Sequence, residues 1–265
     1  MGSSLVIHGN DALTTLDGLD SISSVGGGLS ITGNQNLTDL GALSNLDSIG
    51  GGLHIINNDD LADLSPLGNI SSVTELHISR NASLTSLDGL DGIVEVTGYD
   101  QQGGIMIVYS DALTDITALG NITGDVDSIV IFKNSALASL EGLNGITYVN
   151  SEIRMYRNDA LTSLDGLSSL AFAGFRLEIY HNHALPTCEV CELVGQLVDE
   201  PNVYRVENNI EDDCDPFPDN CFMAPCADYT GDDPCCRIAN PCEWELNDIC
   251  DCDSACAWDA VDCEW

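Results

Sequence analysis

The first 187 residues contain no cysteine, and the chain of 265 residues carries only 7 Lys and Arg against 43 Asp and Glu. The formal net charge of −36 repels nucleic acid and anionic membranes, so polyanionic partners are excluded as a class and cations are favoured. No run of about 18 apolar residues exists, which excludes insertion of a helix into a membrane. The opening "MGSSLVIHGN" has neither a basic n-region nor an apolar h-region, so no secretion signal is read there. Also missing are G-x-S-x-G, H-E-x-x-H, a Walker-type loop and a dinucleotide fingerprint. Arg154 and Arg157 beside Asp159 and Glu178 could suggest polysaccharide cleavage, but all four belong to a repeated pattern. The chain is therefore read as no enzyme.

What is present divides the chain in two. All 12 cysteines fall from Cys188 onward: Cys188, Cys191, Cys214, Cys221, Cys226, Cys235, Cys236, Cys242, Cys250, Cys252, Cys256 and Cys263. An even number in so short a stretch reads as a disulfide framework made in an oxidising compartment, which predicts a secreted or cell-surface protein. The expected domains are a cysteine-free repetitive body with its cap, residues 1–214, and a cysteine-rich module, residues 215–265.

The body repeats itself eight times. Units begin "LVIHGNDAL" at Leu5, then at Leu29, Leu53, Leu76, Ile105, Ile129, Ile153 and Leu177, spaced by 24, 24, 23, 29, 24, 24 and 24 residues. The one long unit holds an insertion, "TGYDQQGG", a loop in an otherwise fixed frame. Each unit opens apolar–x–apolar–x–x–Asn, the period-two alternation of a short strand with its first and third side chains inward. Three leucines at a spacing of three follow, as in Leu161, Leu164 and Leu167, and they must also face inward. Glycine triplets at Gly26–Gly28 and Gly50–Gly52 are expected to let the chain turn. A unit of 24 residues cannot bury its own apolar side, whereas stacked units can. The predicted fold is all-β: a parallel, right-handed β-solenoid of about 8 coils.

Asn10, Asn34, Asn58, Asn81, Asn134, Asn158 and Asn182 recur at the corner after each strand, with Ser110 interrupting the row. An amide both donates and accepts, so stacked asparagines can satisfy turn backbone groups that no ladder reaches. The row is read as scaffold. Sequons occur at Asn36, Asn69, Asn81 and Asn121, and a glycan on Asn81 would conflict with its corner role.

The pattern L-x-I-x-x-N-x-x-L-x-x-L-x-G-L with a glycine-rich return resembles the receptor L domain, a leucine-rich-repeat relative, over roughly Leu5–Cys214. That module forms the ligand-binding halves of insulin- and epidermal-growth-factor-type receptors and recurs in fungal and bacterial surface proteins. The wording "NDALTSLDGL" and the closing "LPTCEVCELVGQL" look most like the bacterial versions. The resemblance implies a cap over about residues 185–214, with a short helix, a last strand near "VYRVEN" and a Cys188–Cys214 bridge. No cap precedes the strand at Leu5, which departs from the family and leaves an open edge.

The end of the chain resembles a Lin-12/Notch repeat, a module held by three disulfides and one Ca²⁺. Asn247, Asp251, Asp259 and Asp262 match its calcium ligands, though Cys250 and Cys252 lie closer than usual and Ala260 replaces a glycine. Calcium takes six to eight oxygen ligands, which suits such crowded acids. Zinc on the "CDC" thiolates, or no metal at all, are the other readings. No organic cofactor is expected.

Outward strand positions carry an uneven chemistry. Arg80, Tyr109, Phe132, Lys133, Arg154, Tyr156, Arg157, Tyr180 and His181 gather in or beside the strands of the later units. Aromatics and arginine on a rigid sheet are favoured recognition anchors, and aromatics can stack on sugar rings. The plainer account is that such side chains pack well on any exposed sheet and balance nearby acids. Acids after each corner, including Asp11, Asp59, Asp111 and Asp159, read as solvated faces. Two functions follow as expectations. One is extracellular, non-catalytic recognition or adhesion, with a protein or glycan ligand on the outer strand face. The other is end-to-end assembly of copies through the open edge at Leu5.

Overall fold

In a computed structural model of the protein, the described residues are 2–98, 103–198, 203–207 and 209. The chain divides into two units, Met1–Cys214 and Asp215–Trp265, and every described residue belongs to the first. The calcium residues Asn247, Asp251, Asp259 and Asp262 and every cysteine from Cys214 onward lie outside the described residues.

Among the described residues the architecture is mainly β, with one α-helix and a parallel sheet of nine strands. Those strands are Leu5–His8, Leu29–Thr32, Leu53–Ile56, Glu75–Ser79, Gly104–Val108, Gly124–Phe132, Ile146–Tyr156, Arg176–Tyr180 and Val203–Glu207. Each pairs with the strand of the next repeat, residue on equivalent residue: Leu5 on Leu29, Leu29 on Leu53, Ile129 on Ile153. The expected alternation is present. Leu29 and Ile31, Leu53 and Ile55, Ile153 and Met155 are all buried, while Ser30, His54 and Arg154 between them are partly exposed. Leu161, Leu164 and Leu167 join the same core. Each fully buried leucine contributes about 2 kcal/mol of transfer free energy, so one axis of such side chains dominates the stability.

Three details differ from the sequence reading. First, two strands are longer than a short corner-to-corner segment: Gly124–Phe132 and Ile146–Tyr156 run 9 and 11 residues. Their extra residues pair with one another through register shifts, at Gly124/Asp125 and again at Val126/Ser128. Second, the leucine segments form short 3-10 turns, such as Gly41–Leu43 and Asp165–Leu167, which let residues three apart point the same way. Third, the glycine triplets do more than let the chain bend at Gly26–Gly27 and Gly50–Gly51. None of Gly26–Gly28 or Gly50–Gly52 has a positive φ. A Cβ on Gly28 would sit 2.7 Å from the Gly52 carbonyl oxygen, and one on Gly51 2.6 Å from the Gly28 nitrogen. Successive repeats approach too closely there for any side chain.

The insertion leaves the frame intact. Gly98 and Gly103 touch backbone to backbone, so the chain departs and returns at one point. Glu75–Ser79 then pairs in register with Gly104–Val108 across the 29-residue unit. At the C-terminal side the helix Thr187–Gln196 buries its own Val190, Cys191 and Leu193, and the strand Val203–Glu207 adds to the sheet. Cys188 and Cys191 are both disulfide-bonded, and Cys214, expected to partner Cys188, lies outside the described residues.

Candidate functional site on the outer strand face

The corner after each strand determines what the face can do. Asn34, Asn58, Asn81, Asn134, Asn158 and Asn182 are fully buried, whereas Asn10 at the first repeat is exposed. Each amide nitrogen donates to a carbonyl of the preceding repeat, as Asn58 Nδ2 does to Ile31 O at 3.0 Å. Each Oδ1 accepts from the backbone N–H of the corner residue before it, as Asn81 Oδ1 does from Asn58 at 3.0 Å and Asn134 Oδ1 does from Ser110 at 3.0 Å. The sequence reading stopped the row at Asn182, but Asn209 continues it, accepting from the Asn182 N–H at 3.1 Å. Its signal was an "ENN" following the last strand.

Turning the asparagine inward forces the residue before it into the left-handed region. Gly9 and Gly33 hold that place in the first two repeats, at φ 69° and 68°. The next six repeats use Asn57, Arg80, Tyr109, Lys133, Arg157 and His181, all at φ between 54° and 58°. A bulky side chain there costs about 1 kcal/mol relative to glycine. Such strain is worth noting because it concentrates where a side chain is needed for something else.

In repeats five to eight these residues form one wall of an open groove of about 520 Å³: Tyr109, Lys133, Arg157 and His181. The facing wall is made two residues further on, by Asp111, Ser135, Asp159 and His183. Ser135 Oγ donates to Asp111 at 2.9 Å, and His183 Nδ1 lies 2.9 Å from Asp159 Oδ1. Asp111 and Asp159 are exposed, as expected for solvated acids, and they also line this groove. Only the pairing of strands in register shows that they stack opposite the cations.

Beside the groove runs an aromatic ladder. Tyr109 meets Phe132 edge-on at 4.9 Å, Phe132 stacks on Tyr156 at 4.5 Å, and Tyr156 stacks on Tyr180 at 4.8 Å. These spacings equal the distance between neighbouring strands, so the stack follows from the sheet. Cations close both ends: Arg80 and Lys133 lie over the Tyr109 ring at 4.6 and 4.7 Å, and Arg205 lies over Tyr180 at 4.1 Å. The ring faces are thus turned to each other and to cations. Stacking of sugars on Tyr156 or Tyr180, expected from the sequence, has no open ring face to use.

The cations of the face are not equivalent. Arg154 donates from Nε to Glu178 at 2.9 Å with Glu152 at 4.0 Å, and Arg176 lies 3.9 Å from Glu178. Burial alone would lower the Arg154 pKa, but the two carboxylates together outweigh it and hold the guanidinium charged. For Arg154 the plain account of balanced charge is sufficient. Burial, followed by the neighbouring Tyr180, raises the Tyr156 phenol above its ordinary value, against the pull of Arg154 and Arg157. Further along, His54 Nε2 and Glu75 Oε2 are 3.0 Å apart, with the His77 ring 5.9 Å from that of His54. Among the described residues no group of three or more His, Cys, Asp or Glu is arranged to hold a metal ion, and no helix is long and apolar enough to cross a membrane.

In comparisons with known proteins, no family model, no curated protein and no solved structure matches the chain. The likeness to receptor L domains and to Lin-12/Notch repeats therefore rests on the motifs themselves.

Proposed function

We propose that the repeats wind as a right-handed β-solenoid of receptor L-domain type, and that the protein is an extracellular, non-catalytic recognition or adhesion protein. Ligand binds on the outer strand face, in the groove of repeats five to eight. One observation carries this reading: Tyr109, Lys133, Arg157 and His181 keep side chains at φ near 55° where repeats one and two use glycine. Packing alone favours glycine there, so the side chains serve the surface they line. The tail is read as a disulfide-held, Ca²⁺-stabilised module.

The experiment replaces Tyr109, Lys133, Arg157 and His181 together by glycine, which the backbone accepts. The variant should fold and lose binding on glycan arrays and on cells. Unchanged binding profiles would remove the reading. A second reading, end-to-end assembly of copies, is favoured by the strand Leu5–His8: among the described residues it pairs on one side only, and Val6 is 61% exposed. Light scattering that shows a strict monomer with this strand ordered would dismiss assembly.

A further inference from the structure

Arg157 stands apart from the other described cations. Arg80, Lys133 and Arg205 lie over aromatic rings, and Arg154 and Arg176 face glutamates. The Arg157 side chain is exposed and makes no hydrogen bond, ion pair or ring contact among the described residues; only its field reaches the Tyr156 hydroxyl. In a chain with 43 acids and 7 cations, a guanidinium that escapes pairing is notable. It also occupies a strained backbone position at φ 58°, between Lys133 and His181 on the same groove wall.

Resting on the recognition reading above, we infer that this groove takes the carboxylate of an acidic sugar in a sparsely charged glycan, with Arg157 as its anchor. The planar guanidinium matches a carboxylate through two parallel N–H···O bonds, which a neutral group cannot replace. Lys133 adds a second donor one strand away, about 4.8 Å along the stack. Across the groove, Asp111, Ser135 and Asp159 offer acceptors at the same spacing, suited to the hydroxyls of neighbouring sugars.

Two observations select this ligand over the alternatives. The lining contains no aliphatic side chain; its tyrosine, Tyr109, has its ring covered by Arg80 and Lys133, and its other rings are the imidazoles of His181 and His183. A protein partner needs a buried aromatic or aliphatic anchor, and the groove offers no pocket for one. A dense polyanion is disfavoured by the overall charge of −36 and by Asp111 and Asp159 on the facing wall. One carboxylate among neutral, hydroxyl-rich units satisfies both walls.

The test uses the full chain and a trisaccharide with one central uronic acid, compared with its methyl ester by calorimetry. The acid should bind at least about tenfold more tightly than the ester, and Arg157→Gln should abolish that difference. A polyuronate should bind more weakly per carboxylate than the trisaccharide at low salt and gain as salt screens the repulsion. Equal binding of acid and ester, or an unaffected Arg157→Gln protein, overturns the carboxylate assignment. Tighter binding of polyuronate that weakens with salt overturns the sparse-charge requirement. Failure of all three probes also overturns the inference. The recognition reading is judged separately by the four-glycine variant on arrays and cells, so the two can fail independently.

Discussion

Asn158 donates both its backbone N–H and its side-chain amide to Oδ1 of Asn182, at 3.0 and 3.2 Å. It gives a further bond to the Ile131 carbonyl at 2.9 Å and accepts two from Asn134. The side chain therefore donates to the repeats on both sides and accepts from the preceding one, fully buried from solvent. Asn158→Ala should cost about 3 kcal/mol, since several buried partners lose their bonds at once. Asn158→Asp should be no better, because a carboxylate cannot donate to Ile131. The exposed Asn10→Ala should cost about 1 kcal/mol. Urea unfolding monitored by circular dichroism separates the three; similar midpoints for Asn158→Ala and Asn10→Ala would refute the ladder's role.

Ser110 is the place where the ladder is interrupted. Its N–H still donates to Asn134 at 3.0 Å, but its hydroxyl turns to the Val108 carbonyl at 3.4 Å and does not reach Asn81. Ser110→Asn should supply the Oδ1 that Asn81 lacks and a donor towards Ile78, stabilising the fold by about 1 kcal/mol. A drop in the unfolding midpoint would show that the 29-residue repeat leaves no room for an amide.

The eight-fold repeat, its strand frame, the buried leucines and the asparagine row were legible in the sequence because period and burial are the same signal there. The closing helix at Thr187–Gln196 and the strand at Val203–Glu207 lie where the resemblance of "LPTCEVCELVGQL" and "VYRVEN" to a family cap implied them. The groove was not. Asp111 and Asp159 look like ordinary turn acids, and only registration of repeats 24 residues apart puts them opposite Lys133 and Arg157. The aromatics were seen but not their mutual stacking, which is set by strand spacing and not by residue type. The bends at the glycine triplets were legible, but not the close approach of successive repeats there, since it leaves no trace in a sequence beyond the glycine itself.

Glycine sites offer a contrast that tests this distinction. A Cβ on Gly166 would run into the Leu140 carbonyl of the preceding repeat, whereas a Cβ on Gly9 meets nothing within 4 Å. Gly166→Ala must push two repeats apart and should cost several kcal/mol, as for an overpacked core. Gly9→Ala pays only for its φ of 69°, about 1 kcal/mol. Equal losses in melting temperature would mean that conformation, not contact, governs both.

The strained corner residues should separate stability from binding. Arg157→Gly relieves a φ of 58° and severs no bond made by the guanidinium among the described residues. It should raise stability by about 0.5–1 kcal/mol. Arg154→Gly, by contrast, removes the bond to Glu178 from a strand interior and should destabilise. If Arg157→Gly also lowers the melting temperature, its side chain supports the fold and the functional argument from strain fails.

Acid should weaken the protein in two steps through the His54–Glu75–His77 group. Desolvation lowers the His77 pKa below 6.5, against the opposing pull of Glu75, so the native state resists a proton the unfolded chain accepts. Its contribution is complete above pH 6.5 and declines as pH falls from there to the folded value. Glu75 is lowered below 4.5, first by its hydrogen bond with His54 and then by the charges of His54 and His77, with burial opposing. That contribution is present above pH 4.5 and is lost as pH falls further towards the folded value. Melting temperature against pH should therefore fall in both ranges. His77→Gln should flatten the upper step and leave the lower one, while Glu75→Gln should remove the lower step. The same substitution withdraws the carboxylate that favours His77 protonation, so the upper step should become larger. An upper step that shrinks in Glu75→Gln would show that another group titrates there.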